Sequence, residues 1–315
     1  MRALLVVNPK ATTTSGRTRD VLTHALASDL KLEVAGTEYR GHARDLARDA
    51  AQAGNVDLVV ALGGDGTVNE VVNGLLTDGP QEGLPRLAVV PGGSTNVFAR
   101  ALGLPNDPVE ATGALLDALQ QGRERSVGLG VARSEGLPDR WFTFTAGFGF
   151  DAAVVGRVER HRRNGRRSTA GLYVQQAVQH YVSEGKHRRH GPITLEIPGE
   201  EPVEGLSVAI VSNTSPWTFV GRRPVYASPE ASFDTRLDLM GLTRLSLVRT
   251  VRTIRQLLDS DGLGPRGKNV VSYHDQPFYA LHSQESTPFQ VDGDHLGNRN
   301  RVSFAGVQRA LRVIV

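Results

Sequence analysis

A chain of 315 residues with 39% hydrophobic and 22% charged residues has a globular composition and the length of two domains. It contains no cysteine, which excludes a disulfide framework, a thiolate metal site and a cysteine nucleophile, and fits a reducing cytosol. The formal charge of +3 is too modest to argue for nucleic-acid binding, and no apolar run approaches the ~20 residues needed to span a bilayer, so any membrane contact is expected to be peripheral.

Met1 to Val7 is too short for a signal-peptide core and runs into the turn Asn8-Pro9. The first third then alternates. Strands are predicted at Ala3 to Val7, Leu32 to Thr37, Leu58 to Leu62 and Leu87 to Val90. Helices are predicted at Arg17 to Leu30, His42 to Ala53, Thr67 to Leu76, Thr95 to Leu102 and Pro108 to Gln120. Such alternation specifies a parallel sheet covered by helices, whose ligands bind beyond the carboxyl ends of the strands. Asn8, Thr37, the turn at Gly63 and the stretch Pro91 to Asn96 all fall at those ends.

Leu62-Gly63-Gly64-Asp65-Gly66-Thr67 sits between a buried-strand pattern and a helix pattern. There the backbone can approach a phosphate, and the helix start supplies unpaired N–H groups and a positive dipole end. A carboxylate at a phosphate site calls for a cation between them, so Asp65 suggests a metal-bound nucleotide. An ordinary glycine turn with a solvated Asp accounts for the same residues. Thr67 and Glu70 have the spacing of a capping box. Pro91-Gly92-Gly93-Ser94-Thr95-Asn96 is a second glycine turn, in which Ser94 and Thr95 can bond a phosphate or cap the helix. Two such turns on neighbouring strand ends favour a nucleotide.

The pattern changes near Arg123. Strand-like runs follow at Val127 to Ala132, Trp141 to Ala146, Ile193 to Ile197, Leu206 to Ser212, Arg236 to Met240, Phe278 to His282, Phe289 to Val291 and Arg301 to Phe304. Helical patterns intrude at Ala152 to Arg160, Thr169 to Ser183 and Leu245 to Leu258. This reads as a mainly antiparallel β domain over 126–304, with 1–125 as the α/β domain and 305–315 returning to it as a strand. Val291-Asp292-Gly293-Asp294 carries a hairpin signal, either a tip with solvated acids or, at Asp294, a general base. Asp234 stands in a turn before a strand and could hold Mg²⁺ or Ca²⁺ with nearby carbonyls, a plain turn being the default. Basic residues crowd Arg157 to Arg167 and Lys186 to His190, either as solvated helix ends or as a surface for anionic lipid headgroups. Neither run interleaves aromatics, so nucleic acid is a poor fit.

Together these segments resemble the diacylglycerol kinase catalytic-domain family, in particular its soluble bacterial lipid kinases, relatives of sphingosine and ceramide kinases. The resemblance rests on Asn8-Pro9, Thr37-Glu38, Gly41-His42-Ala43, the string Gly63 to Leu75, Pro91 to Pro105, Gly147 to Val155, Pro229 to Leu239 and Val291 to Asp294. It implies an α/β nucleotide domain joined to a β-sandwich domain, with ATP in the cleft between them. By motif, Asn8, Thr37, Gly63, Gly64, Asp65, Gly66, Thr67 and Ser94 would contact ATP. Asp294 would be the catalytic base, where the family usually has glutamate. Asp234 would hold a structural Mg²⁺ with the carbonyls of Ala231 and Arg236, although Thr235 replaces the family's glycine. Val97 stands where many members have aspartate.

The activity implied is transfer of the ATP γ-phosphoryl group to a lipid hydroxyl, diacylglycerol giving phosphatidic acid, with Mg²⁺ anchored by Asp65. The implied location is cytoplasmic, peripheral at the inner membrane face. NAD kinase, which shares the GGDGT string, is the rival enzyme, but its Gly-Ser-Thr-Ala-Tyr run is not seen here. A third reading is an ATP- or membrane-binding module without activity. The aromatics Phe142, Phe144, Phe148, Phe150, Trp217 and Phe219 fit either an acyl-chain pocket or a core, and whether the chain forms a homodimer stays open.

Overall fold

A computed structural model of the chain describes residues 1–9, 11, 14–149, 152–153, 191–243, 246–259 and 261–315. The segments Arg157 to Arg167 and Lys186 to His190, the helices expected from Ala152 to Arg160 and from Thr169 to Ser183, and Phe150 lie wholly or almost wholly outside these residues. The chain divides into unit 1, residues 1–128 with 309–315, and unit 2, residues 129–308.

Unit 1 is built on parallel strands β1 (Arg2–Val7), β2 (Lys31–Gly36), β3 (Leu58–Gly63) and β4 (Arg86–Pro91). Their order is β2–β1–β3–β4, and Val313, in the last strand of the chain, pairs in parallel with Leu87. Every residue of β3 is buried, as expected of a central strand covered on both faces. Helices α1 (Gly16–Asp29) and α5 (Pro108–Gln121) supply Leu22, Leu26, Leu115 and Ala118 to a core with Leu5, Leu58, Val60, Leu62, Val90 and Ile314. Ser15 caps α1 by accepting from the Thr18 amide, and Asp107 caps α5 at the amides of Val109 and Glu110, with Pro108 at the first helical position. Helices α2 (His42–Ala53) and α3 (Asp65–Leu75) approach closely because Ala47 and Gly74 are small. A Cβ on Gly74 would strike the Arg44 carbonyl.

The chain passes from unit 1 to unit 2 within β5 (Glu124–Arg133) and returns within β16 (Asp294–Ile314). The other strands of unit 2 are β6 (Arg140–Phe142), β7 (Thr145–Gly149), β8 (Ile193–Glu196), β9 (Val203–Leu206), β10 (Val208–Ser212), β11 (Thr218–Val220), β12 (Arg223–Val225), β13 (Leu237–Leu242), β14 (Val270–Gln276) and β15 (Phe278–Val291). The order is β14–β13–β10–β7–β15–β16, with β8 and β9 added beside β15, and these pairings are antiparallel. Phe142, Phe148, Leu195, Leu206, Leu239, Tyr279, Phe289 and Phe304 share one core.

Several predicted elements need correction. Trp141 to Ala146 is not one strand, because Thr143 and Phe144 leave the ladder between β6 and β7. Phe278 to His282 and Phe289 to Val291 belong to one strand, bulged so that its first part pairs β8 and its end pairs β7. Phe142, Phe144 and Phe148 are core residues. The helix expected from Thr95 starts only at Val97, as α4 (Val97–Ala101).

Candidate functional site

The loops after β1, β3 and β4 meet at the carboxyl end of the unit 1 sheet. The Asn8 amide donates to the Leu62 carbonyl at 3.1 Å, and the Gly92 amide donates to the Gly63 carbonyl at 2.8 Å. The Asn8 side-chain amide donates to Thr67 Oγ1 at 3.2 Å. The Thr37 amide donates to the Val7 carbonyl at 2.8 Å, which ties the loop after β2 to β1. The sequence-predicted residues Asn8, Thr37, Gly63, Gly64, Asp65, Gly66, Thr67 and Ser94 thus gather along one edge of unit 1.

Glycine serves two different ends there. A Cβ on Gly93 would stand 2.7 Å from the Gly64 Cα, and one on Gly92 would stand 3.1 Å from the Gly63 Cα. These glycines let two backbones touch. A Cβ on Gly66 would meet nothing within 4 Å. Gly66 is exposed in the first turn of α3. The next two amides, of Thr67 and Val68, donate to the Gly64 carbonyl, whereas the Gly66 amide has no acceptor among the described residues. An open backbone with an unused donor at a helix start fits an anionic oxygen.

The acids correct the sequence reading. Thr67 and Glu70 do not form a capping box: α3 begins at Asp65, two residues earlier, and Gly64 is its cap residue. Thr67 accepts from Asn8, and Glu70 reaches across to the start of α2, accepting from the Gly41 amide at 2.9 Å and the Ala43 amide at 3.2 Å. A carboxylate from a neighbouring helix therefore does the work of a cap for α2, whose own cap residue is glycine. Asp65 Oδ1 accepts from the Phe98 amide at 3.2 Å, tying α3 to the first turn of α4. Val97 is buried beside it, so the position where many family members carry an acid is apolar core here.

Neither Ser94 nor Thr95 caps α4. The cap residue is Asn96, in left-handed backbone at φ 51°. Its Oδ1 accepts from the Gly93 amide at 2.9 Å, and its Nδ2 donates to the Gly93 carbonyl at 2.8 Å and to Asn106 Oδ1 at 2.9 Å. The signal was available: after a glycine turn, Asn is the residue best able to adopt that backbone while bonding it.

In unit 2, Asp292 and Gly293 form a two-residue hairpin turn at φ 46° and 80°, with Val291 opposite Asp294. Asp292 is not a solvated tip acid. It is buried, and accepts from the amides of Thr143 (2.7 Å), Phe144 (3.1 Å) and Thr145 (3.0 Å) and from the Thr143 hydroxyl (2.8 Å). Burial pushes its carboxyl above the usual range, and these donors oppose that shift. Asp294 is half-buried and ion-paired with Arg140 at 3.2 Å.

Asp234 is exposed, and its amide donates to Ser232 Oγ at 3.3 Å. The carbonyls of Ala231 and Arg236 accept no hydrogen bond among the described residues. That oxygen set suits a hard cation. Among the described residues no three His, Cys, Asp or Glu side chains converge as a metal cluster. A shallow concavity of ≈ 360 Å³ lined by Arg2, Lys31, Glu33 and Asn55 lies at the amino ends of β1 and β2. It is away from the glycine turns and at the wrong end of a parallel sheet for a ligand.

The diacylglycerol kinase catalytic domain pattern matches residues 2–131. A "probable lipid kinase YegS-like" protein of Chromohalobacter salexigens is 30% identical over 300 residues, spanning 93% of this chain and 84% of that protein. The chain belongs to the diacylglycerol kinase catalytic-domain family. A diacylglycerol kinase of Bacillus subtilis is 45% identical over 115 residues, 34% of this chain. The chain spans only 35% of that relative's length and 36% of a Staphylococcus epidermidis diacylglycerol kinase, 41% identical over 124 residues. In fold, it is similar to a diacylglycerol kinase of Bacillus anthracis, with a TM-score of 0.69 and 21% identity over 99% of this chain and 96% of that one. The fold is shared more distantly with an ATP-bound NAD kinase of Archaeoglobus fulgidus, TM-score 0.53 and 13% identity over 100% of this chain and 94% of that one. Among the described residues no helix is long and apolar enough to cross a membrane.

Proposed function

We infer that this family member transfers the γ-phosphoryl group of ATP to a lipid hydroxyl at the inner face of the membrane, with diacylglycerol as acceptor and phosphatidic acid as product. The observation that carries the reading is the opening at Gly66, where a helix start presents an unused amide beside a second glycine turn. The names of the relatives support the lipid acceptor.

In this reading Asn8, Thr37, Gly63, Gly64, Gly66, Thr67 and Ser94 hold the nucleotide, and Asp65 holds its Mg²⁺. Bound Mg²⁺ would neutralise charge on the phosphate oxygens. Asp234 with the Ala231 and Arg236 carbonyls would hold a second cation. The lipid hydroxyl oxygen bonds to the γ-phosphorus, the bond to the β–γ bridging oxygen breaks, ADP leaves, and Asp294 takes the hydroxyl proton. Arg140 fixes the Asp294 carboxylate by their ion pair. Such transfer depends on positioning and charge stabilisation more than on covalent chemistry.

The test incubates the protein with γ-labelled ATP, Mg²⁺ and a panel containing diacylglycerol, a sphingoid base, phosphatidylglycerol and NAD. Label is expected in phosphatidic acid. Asp294→Asn should lower turnover by roughly 100-fold or more with ATP affinity kept. Asp65→Asn, which retains an oxygen for the Phe98 amide, should lower both ATP affinity and turnover. Label in NAD, or no label in any lipid, overturns the reading. Full turnover in the folded variants overturns the assigned roles.

A further inference from the structure

Helix α6 (Leu247–Leu257, LVRTVRTIRQL) packs on unit 2 with Ile254 and Leu257 half-buried, yet it leaves Val248 and Val251 exposed. At about 100° per residue, Thr250, Thr253 and Leu257 lie along one side. Thr253 is buried, and Leu257 packs beside a small core of Val208, Ile210, Ala227, Met240 and Leu242. Val248, Arg252 and Arg255 lie along the opposite side, with Val251 at its edge. Val248 is 80% exposed and Val251 50% exposed. Arg249, Arg252 and Arg255 are exposed, and none of their guanidinium groups has a partner among the described residues. The helix carries no acid. Asp259 and Asp261 follow it, and Asp261 is paired with Arg266 at 3.3 Å.

The neighbourhood extends the pattern. The exposed large apolar side chains among the described residues of unit 2 are Val220, Val248, Val251 and Leu263. Tyr226, which follows the β11–β12 hairpin carrying Val220, donates its amide to the Leu257 carbonyl at 3.0 Å. Gly262, beside Leu263, lies against the Tyr226 ring. Hairpin, helix end and loop therefore converge on Tyr226. A helix evolved only to cover a sheet would turn its valines inward and its threonines out.

We propose that α6 is a docking element for an anionic lipid bilayer, with Val248 and Val251 entering the headgroup boundary while Arg249, Arg252 and Arg255 meet lipid phosphates. The occupant is chosen by charge: unpaired cations interleaved with exposed apolar groups, with no acid on the helix, complement an anionic interface. The proposal does not rest on the kinase reading, because vesicle binding is measured without ATP.

The chain has no cysteine, so one introduced thiol can be labelled uniquely. Val248→Cys carries an environment-sensitive fluorophore, and Val109→Cys, exposed on α5 of unit 1, is the control. With vesicles of phosphatidylglycerol and phosphatidylcholine, a saturable blue shift is expected at position 248 and none at 109. The shift should be reversed by salt and absent with phosphatidylcholine alone. Adding Arg252→Glu and Arg255→Glu should weaken vesicle partition roughly 30-fold or more, with circular dichroism and melting temperature unchanged. The proposal is overturned by an unresponsive label, by an equal response to neutral vesicles, or by partition indifferent to the charge reversals. It is also overturned if the label is already shielded in buffer, or becomes shielded as protein concentration rises without lipid, since this chain or a second copy then covers the face.

Discussion

The same dipeptide, Asp-Gly, stands at two tips of this molecule and does opposite work. At Asp65-Gly66 in unit 1, the acid ties α3 to α4 through the Phe98 amide, and the glycine leaves backbone open with a donor unspent. At Asp292-Gly293 in unit 2, the acid is buried and absorbs three amides and a hydroxyl from the break between β6 and β7. One tip leaves a backbone donor unspent; the other consumes its hydrogen-bonding capacity to hold the chain together. The lesson is that an acid–glycine motif is read by counting which donors around it are already used.

The sharpest break of this contrast is Asp292→Ala. It strands three buried amides, and a cost of about 3–9 kcal/mol is expected at roughly 1–3 kcal/mol per unsatisfied group. Trp141 and Trp217 both lie in unit 2, so tryptophan fluorescence in urea reports the loss there. A cost below about 1 kcal/mol would show that the loop finds other acceptors.

The next test compares two glycines. Gly93→Ala places a methyl against the Gly64 backbone and should cost about 1–3 kcal/mol along with ATP binding. Gly66→Ala enters open space and should leave stability within about 0.5 kcal/mol while weakening ATP binding at least tenfold, the mark of a position kept bare for a ligand. Equal losses of stability in the two variants would erase the distinction.

The smallest effect separates Asp292 from another buried acid of unit 2. Asp238 is pushed up by burial, while the Asp275 amide and His274 pull it down. His274 Nδ1 lies 2.9 Å from it, and that bond holds the imidazole above its usual range. The folded state thus keeps a proton that the unfolded chain releases near pH 6.5. The pair's stabilisation is complete below that pH and is lost as pH rises through the folded value. His274 is half-exposed, so the change is a few tenths of a kcal/mol, about 1 °C in melting temperature between pH 6 and 8. His274→Gln should flatten that slope, and an unchanged slope would assign it elsewhere.

Much of unit 1 was legible because β1, β3 and β4 are apolar on both faces and its helices end at recognisable signals. His42 to Ala53 was read with both boundaries correct, between Gly41 and Gly54. The errors at Glu70 and at Trp141 to Ala146 share a cause: partners far apart in sequence. Glu70 resembles half of a capping box until α2 comes within its reach. Trp141 to Ala146 has the composition of a strand, and only Asp292, 149 residues beyond Thr143, explains why the ladder opens there. The apolar residues of α6 were visible in sequence, but not that Val248 and Val251 stay exposed while Thr253 is buried, because burial is decided by the sheet the helix lies on.

The last strand has a consequence for how the protein is made. Val313 and Ile314 belong to unit 1, pairing with Leu87 and filling the core beside Leu58. Residues 129–308 must be translated before they arrive. A nascent amino-terminal half leaving the ribosome therefore carries β4 as a raw edge, ready to pair with the wrong chain, until Val313 and Ile314 have been made.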